Sequence, residues 1–222
     1  NVKLNMNIFD KLNLDGIYVM PAMTDSGAGL GAMLLGLYNE KKIDYQTFKS
    51  NNFSMPYWGP SFTKTDVIKA ISNYKSILET KEYSNNEWKD IFANYICEGK
   101  IGGLFQGKME FGPRSLGNRS ILGDPRRIDM QKKINLATKF RESFRPFAPI
   151  IKLDKLSEWF DMNCESPYML LVSEIIDSKK LNQSLNYNAV GLKKLDIKRS
   201  KIPSVTHVDY SCRIQTIKKE DN

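Results

Sequence analysis

The side chains with the clearest chemical potential lie between residues 108 and 145. Five cations recur there among glycine, proline and phenylalanine: Lys108, Arg114, Arg119, Arg141 and Arg145. A loop can bring such side chains together on one anion, and the planar fork of an arginine matches phosphate oxygens bidentately. Positive charges that are fixed in advance stabilise an anion without reorganising. The pattern therefore predicts a preorganised site for a polyphosphate or an acyl phosphate.

The backbone around these cations favours tight turns. Gly107, Gly112 and Gly117 allow the chain to turn and a ligand to approach closely, and Pro113 stiffens the loop. The Walker A pattern G-x-x-x-x-G-K-[ST] is absent, so the predicted phosphate site is of another type. The second cationic block, FRESFRPFAPII, contains three aromatic residues that we expect in the core rather than on a base-stacking surface: Phe140, Phe144 and Phe147.

Each residue of the pattern also has a purely structural interpretation. A single arginine more often forms a surface salt bridge than a ligand contact, and Glu110 is able to pair with Arg114 or Arg119 and so hold the loop. Asp25 is suited to capping the helix that follows it. The one histidine, His207, is compatible with a place in the core. The hypothesis therefore depends on the whole block and not on one side chain.

Composition and charge exclude several classes of protein. The chain has 222 residues, 41% hydrophobic and 26% charged, which is typical of a globular protein. The net charge of +8 is concentrated in residues 99–149, which hold 11 Lys and Arg against four acids. No apolar run reaches the roughly 18 residues of a membrane span, and the first residues lack the apolar region of a secretory signal. Three cysteines without metal-type spacing predict a cytoplasmic protein.

Hydrophobic periodicity and turn residues predict alternating strands and helices. The expected strands are 17–20, 101–106, 150–151, 168–176, 205–209 and 213–217. The expected helices are one that closes at Lys42 and those over 65–78, 87–97, 127–139 and 153–160. We interpret the polar stretch 43–62 as a linker and the polar stretch 177–201 as a loop on the surface. This order indicates an α/β fold, with α+β as the open alternative.

Several stretches resemble a known family. GKMEFGPRSLGNRSILGDPR and FRESFRPFAPII are similar to the signature of the O-carbamoyltransferases of nodulation-factor and antibiotic biosynthesis, the NodU/CmcH type. Further stretches agree in family order: TDSGAGLGA, YWGPSF, SPYMLLV and PSVTHVDYSCRIQTI. The resemblance spans nearly the whole chain. Lys108 stands where an arginine is expected. The lysine keeps the positive charge but lacks the planar guanidinium that binds two oxygens at once.

The resemblance implies a domain organisation. Residues 1–42 would be the C-terminal tail, a strand and a helix, of an actin-like ATPase-type carbamoyl-transfer domain, and 43–62 a linker. Residues 63–222 would form most of a YrdC-like domain, an open twisted mixed sheet with flanking helices. The rest of the first domain would precede this chain in the same polypeptide, so the chain would be a C-terminal fragment. A homodimer is compatible with this organisation.

The resemblance also implies a reaction. The YrdC-like domain would join carbamoyl phosphate and ATP into carbamoyl adenylate, and the first domain would transfer the carbamoyl group to a hydroxyl of a small molecule or glycan. Neutralising the repulsion between the two anions would be the role of Lys108, Arg114, Arg119 and Arg145. Further substrate and nucleotide contacts would come from Gly117, Asn118, Ser120, Arg141, His207 and Arg213. Asp25 matches a metal-binding aspartate (Fe, Mg or Mn) whose partners would lie outside this chain.

Two other functions are compatible with the sequence. YrdC-like folds can present basic surfaces to RNA, so a nucleotide- or RNA-binding module without catalysis is one alternative, and a scaffolding or regulatory domain is another. Catalysis is favoured over RNA binding because the cations lie in Gly/Pro loops rather than along a helix and lack interleaved exposed aromatic residues. A nucleic acid is therefore not an expected partner, and without a long apolar run we expect no membrane partner either.

Overall fold

Helices and short strands alternate along the chain. The computed structural model describes residues 1–12, 14, 16–22, 25–44, 46, 56–84, 86–181 and 189–219. The α-helices in these ranges are α1 (Val2–Lys11), α2 (Asp25–Asn39), α3 (Lys64–Ser72), α4 (Glu87–Cys97) and α5 (Met130–Ala137). The strands are β1 (Gly102–Phe105), β2 (Arg119–Leu122), β3 (Ile150–Lys152), β4 (Leu171–Glu174) and β5 (Ser211–Ile217). Short 3-10 helices cover Leu153–Glu158, Asp177–Lys179, Gly191–Asp196 and Pro203–Val205.

The chain divides into two compact units. The core unit comprises Asn1–Ile17, Ile91–Gly102 and Leu122–Asn222. The basic-loop unit comprises Tyr18–Asp90 and Gly103–Ile121. The domain boundaries drawn from the sequence at residues 42 and 62 stay a prediction.

A three-stranded mixed sheet organises the core unit. β5 lies in the centre, parallel to β3 and antiparallel to β4, with Ile150 opposite Gln215 and Leu171 opposite Ile214. Most of the central strand SCRIQTI is buried, as expected of a strand with a neighbour on each side. The helices and the open, mixed sheets confirm the predicted α/β fold class.

The core of this unit is an apolar cluster packed on the sheet. Its buried members are Leu156, Phe160, Met162, Leu171, Ile175, Ile202, Val205, Cys212 and Ile214. Burying one side chain of this size away from water contributes about 1.5–3 kcal/mol to the stability of the folded state. Of the helices described above, none combines the length and the apolar character needed to cross a bilayer.

The basic-loop unit contains a two-stranded sheet of β1 and β2. The chain between them, residues 106–118, is called the basic loop below. The second half of the predicted linker lies against it, since the Gly59 amide donates to the Met109 carbonyl at 2.9 Å and the Phe111 amide to the Pro56 carbonyl at 2.6 Å. Residues 45 and 47–55 of that linker lie outside the described residues. Thr63 and Asp66 cap α3 reciprocally, which fixes where that helix begins.

Some elements differ from the expectation. Residues 17–20 are irregular, because among the described strands none supplies them with a ladder partner. Residues 205–209 are not a strand either: a 3-10 turn that begins at Pro203 is followed by a tight reversal, with Tyr210 at φ +63° and the His207 amide donating to the Ser211 carbonyl at 2.9 Å. Helix α1 was not expected. The Asn1 side chain caps it by accepting from the amides of Lys3 and Leu4.

The central strand should carry much of the stability of the core unit. Ile214 is fully buried, so Ile214→Ala is expected to lower the free energy of unfolding by about 2–5 kcal/mol in urea titrations. Ile150→Ala is the matched control, because Ile150 lies on the outer strand β3 and is 39% exposed. We expect less than half the loss there; equal losses would contradict this placement of the core.

Candidate functional site

A buried carboxylate holds the basic loop in shape. Glu110 is only 7% exposed, and its Oε1 accepts hydrogen bonds from the backbone amides of Leu116 (2.7 Å), Asn118 (2.8 Å) and Arg119 (3.2 Å). Burial alone would raise the pKa of Glu110, but these amides outweigh it and hold the pKa below its ordinary value. Glu110 therefore holds the loop through the backbone, where the sequence suggested an ion pair with Arg114 or Arg119.

The Arg119 guanidinium is engaged with the loop itself. Its Nη1 donates to the carbonyls of Gln106 (2.5 Å) and Asn118 (2.8 Å), and its Nη2 to that of Gly107 (3.2 Å). The guanidinium carbon lies 3.6 Å from the centroid of the Phe105 ring. These contacts give Arg119 a positioning role, and the catalytic role expected from the sequence stays a prediction.

Asn118, Ser120 and Gly117 also stabilise the turn. The Asn118 Nδ2 donates to the Lys108 carbonyl at 2.8 Å, and the Gly117 amide donates to the buried Ser120 hydroxyl at 3.0 Å. Gly117 has φ +123°, a conformation that side chains other than hydrogen rarely adopt. The Gly117 amide, which we expected to face a phosphate, therefore has a partner within the loop.

Two cations of the basic loop face solvent. Lys108 and Arg114 are both exposed, and the Arg114 Nη1 donates to the adjacent Pro113 carbonyl at 3.1 Å. Their Cα atoms belong to a loop that Glu110, Arg119 and Asn118 fix. Both charges are therefore held on a stiff backbone and remain accessible to an anion.

A second group of predicted residues lies in the core unit around Asn135. This side chain is fully buried; its Nδ2 donates to the carbonyls of Ser143 (3.2 Å) and Arg145 (2.8 Å), and its Oδ1 accepts from the Arg141 Nε at 2.6 Å. The Arg145 Nε donates to Glu142 at 2.8 Å. Sequence reasoning missed Asn135, although a polar residue next to the inward-facing Ile134 of α5 is a usable signal.

A shallow depression of about 600 Å³, widely open to solvent, lies beside these arginines. Its lining residues are Leu136, Phe140, Arg141, Glu142 and Arg145. Burial, and then the nearby charge of Arg145, lower the pKa of the Arg141 guanidinium. Of the three phenylalanines expected in the core, only Phe147 packs against it, whereas Phe140 and Phe144 are exposed.

His207 and Arg213 lie elsewhere in the core unit. The His207 Nδ1 is 3.2 Å from the Ser211 hydroxyl, and among the described residues nothing hydrogen-bonds its buried Nε2. Burial lowers the pKa of His207, so the imidazole is neutral at pH 7. Arg213 is half-buried on β5, opposite Val172 of β4. The role of both residues in binding stays a prediction.

Asp25 is the first residue of α2 and is exposed. In the part of the chain that the structure describes, no three His, Cys, Asp or Glu side chains gather to hold a metal ion. These residues alone therefore do not fit a metal centre, and the assignment of Asp25 stays a prediction.

The structure thus groups the predicted residues by unit. The basic-loop unit contains Lys108, Arg114, Gly117, Asn118, Arg119 and Ser120. The core unit contains Arg141, Arg145, His207 and Arg213.

The role of Glu110 has a measurable consequence. Glu110→Gln replaces a charged acceptor of three amides by a neutral one, so we expect the free energy of unfolding at pH 7 to fall by about 1–3 kcal/mol. Because the pKa of Glu110 is lowered in the folded state, its contribution is complete above the ordinary glutamate value of about 4.3 and is lost as pH falls through the folded value. The difference between the two proteins in urea titrations should therefore shrink below about pH 4.

The matched control is Glu79→Gln, which changes an exposed glutamate of the same unit. It should leave the free energy of unfolding within about 0.5 kcal/mol of the original. A Glu110→Gln protein as stable as this control would contradict the role of the Glu110 carboxylate in holding the basic loop.

Comparisons with known proteins agree with the motifs. The family model described as "Carbamoyltransferase C-terminus" matches residues 93–222. The chain is 36% identical over its whole length to the uncharacterized protein sll1178 of Synechocystis sp. and 32% to nodulation protein NolNO of Sinorhizobium fredii, of which it covers 36% and 30%. It is 27% identical to the 3'-hydroxymethylcephem-O-carbamoyltransferase of Amycolatopsis lactamdurans, over 95% of this chain and 33% of that protein.

The chain spans about a third of the length of these relatives. The family match covers more than half of the chain, including the whole of the second cationic block and most of the core unit. The basic loop and the Asn135 cluster both fall within the matched residues. This chain therefore belongs to the carbamoyltransferase C-terminus family.

Proposed function

We propose that this chain contributes the carbamoyl-adenylate step of an O-carbamoyltransferase. In this step water cleaves carbamoyl phosphate to carbamate and phosphate, a carbamate oxygen attacks the α-phosphorus of ATP, and pyrophosphate leaves. The carbamoyl group would then pass to a hydroxyl of a small molecule or glycan. The name of the cephem relative, an O-carbamoyltransferase, supports a hydroxyl as acceptor.

One observation carries the proposal: the basic loop holds two accessible cations, Lys108 and Arg114, on a backbone fixed from within by Glu110. Carbamoyl phosphate and ATP are both anions, so their encounter requires fixed positive charge. A loop that is already ordered stabilises the developing charge without a further loss of conformational freedom. The charged groups of the loop can thus act by position, and no covalent nucleophile is needed.

Several parts of the proposal concern the polypeptide beyond these residues. The resemblance is consistent with a divalent metal that is held by Asp25 and by partners outside this chain, and with an actin-like transfer domain. It is also consistent with a YrdC-like core and with a cytoplasmic, homodimeric protein.

RNA binding is the competing hypothesis. Its affinity would fall steeply with salt, whereas a nucleotide pocket would discriminate ATP from other triphosphates.

The proposal is tested by carbamoyl-phosphate-dependent exchange of pyrophosphate into ATP, with the protein expressed as its gene encodes it. Arg114→Ala and Lys108→Ala should each lower the exchange rate about 10- to 100-fold, because each removes a charge-assisted contact to an anion. Their urea midpoints should not change, since both side chains are exposed. Arg119→Ala should lower both the exchange rate and the stability, because the loop loses several hydrogen bonds.

Lys75→Ala is the matched control, because Lys75 is an exposed lysine of the same unit and is not part of the basic loop. It removes the same charge from the unit and should leave the exchange rate within about twofold. Full exchange activity in both Arg114→Ala and Lys108→Ala would contradict the assignment of the basic loop as the site that binds the anionic substrates. Exchange that does not depend on carbamoyl phosphate would contradict the proposed reaction itself.

A further inference from the structure

Arg199 differs from the other buried charged side chains. Of the described residues, Glu110, Asp124 and Arg199 are both charged and buried. Glu110 accepts from three backbone amides, and Asp124 is bound by a guanidinium. Arg199 is only 7% exposed, yet its guanidinium donates a single hydrogen bond within the described residues, from Nη1 to the Ile197 carbonyl at 3.2 Å. A buried guanidinium without a counter-ion is costly, so this position favours an added anion.

The edge of the Arg199 guanidinium that remains open is the edge that binds two oxygens at once. Nη1 is engaged with the Ile197 carbonyl, whereas Nε and Nη2 bind no described residue and are not fully enclosed by protein. Arg126 shows what this edge binds, because its Nε and Nη2 donate to the two carboxylate oxygens of Asp124, each at 2.8 Å. Arg199 therefore presents the same planar fork to a ligand that carries two oxygens.

The backbone around Arg199 is fixed by contacts within the core unit. Lys180 and Ser200 form an isolated antiparallel bridge, and the Leu181 amide donates to the Arg199 carbonyl at 2.7 Å. Ser200 is fully buried, and its hydroxyl accepts from the Ile202 amide at 3.0 Å. The guanidinium is thus carried by an ordered segment, so a ligand would bind there with little loss of conformational freedom.

The charges around Arg199 favour a dianion over a monoanion. Residues 193–201 contain one acid and five cations, of which four are exposed lysines: Lys193, Lys194, Lys198 and Lys201. Glu174 and Asp177 already pair with Lys180 of the bridge. Burial lowers the pKa of the Arg199 guanidinium, and among the described groups only the Tyr210 phenol opposes this effect. A phosphate dianion would compensate this excess of positive charge better than a carboxylate.

We propose that the open edge of Arg199 binds a phosphate-type dianion, of which inorganic phosphate is the simplest. Arg199 belongs neither to the cationic block of residues 108–119 nor to that of residues 140–151, so the inference does not depend on the proposed function. The bound ion would compensate the buried charge. Phosphate would therefore stabilise the folded core unit, to an extent that grows with its concentration.

Urea unfolding at several phosphate concentrations and constant ionic strength tests the inference in the protein expressed as its gene encodes it. The dependence of the unfolding midpoint on phosphate gives an apparent dissociation constant. Arg199→Met should raise that constant about 10- to 100-fold, because a charge-assisted bidentate contact is lost. In chloride alone the same variant should keep or raise the midpoint, since an uncompensated buried charge is removed.

Arg199→Lys retains the charge but not the fork, so it should lose the stabilisation by phosphate as Arg199→Met does. It carries the same comparison if Arg199→Met does not fold. Lys194→Met is the matched control, because it removes one charge from the same segment at an exposed position. This control should leave the apparent dissociation constant within about threefold of the original.

Phosphate also stabilises proteins as an excluded salt, and that effect acts on all variants alike. An equal rise of the midpoint with phosphate in the original protein and in the Arg199 variants would overturn the proposal. So would a midpoint that Arg199→Met lowers by the same amount in chloride and in phosphate, as expected of a purely structural arginine. Acetate that stabilises through Arg199 as strongly as phosphate does would overturn the assignment of a dianion.

Discussion

The Glu110 carboxylate, withdrawn from water and surrounded by backbone amides, is the constraint on which the basic loop depends. An ionised group in such a place is costly unless hydrogen bonds replace its lost hydration. Here the amides of residues 116, 118 and 119 replace it, and they can do so only if the intervening chain turns sharply. The glycine at position 117, with φ +123°, permits that turn. The conformation of the loop and the burial of the Glu110 carboxylate therefore depend on each other. Together they fix the backbone that carries Lys108 and Arg114.

The two units share one feature, a buried polar side chain that holds charged residues in place. In the basic loop, Glu110 and Arg119 bind backbone groups, and Lys108 and Arg114 remain exposed. In the core unit, the buried Asn135 donates to the carbonyls of residues 143 and 145 and orients Arg141 at the edge of an open surface depression. In each case one buried polar side chain fixes an irregular segment that regular secondary structure does not stabilise. Such a segment can then carry charges at fixed positions.

The sequence predicted some parts of this arrangement and not others, for physical reasons. Helix α4 was predicted with its observed bounds, because its apolar spacing is regular and a glycine follows it. The cationic block was evident from residue types alone. The partners of Glu110 were not, because a carboxylate beside arginines suggests ion pairs and only the folded backbone shows the amides. The exposure of Phe140 was missed since apolar residues are assigned to the core by default. Residues 205–209 have strand-like composition, but a proline and a tight reversal prevent a ladder.

In the reaction that we propose, cations on a stiff backbone allow two mutually repelling anions to bind at once. The most direct measurement is calorimetric titration of ATP into the protein in the presence and absence of saturating carbamoyl phosphate. We expect carbamoyl phosphate to leave ATP affinity unchanged or to increase it, because the protein charges screen the repulsion between the two ligands. Mutually exclusive binding, with ATP affinity falling in proportion to carbamoyl phosphate concentration, would contradict it.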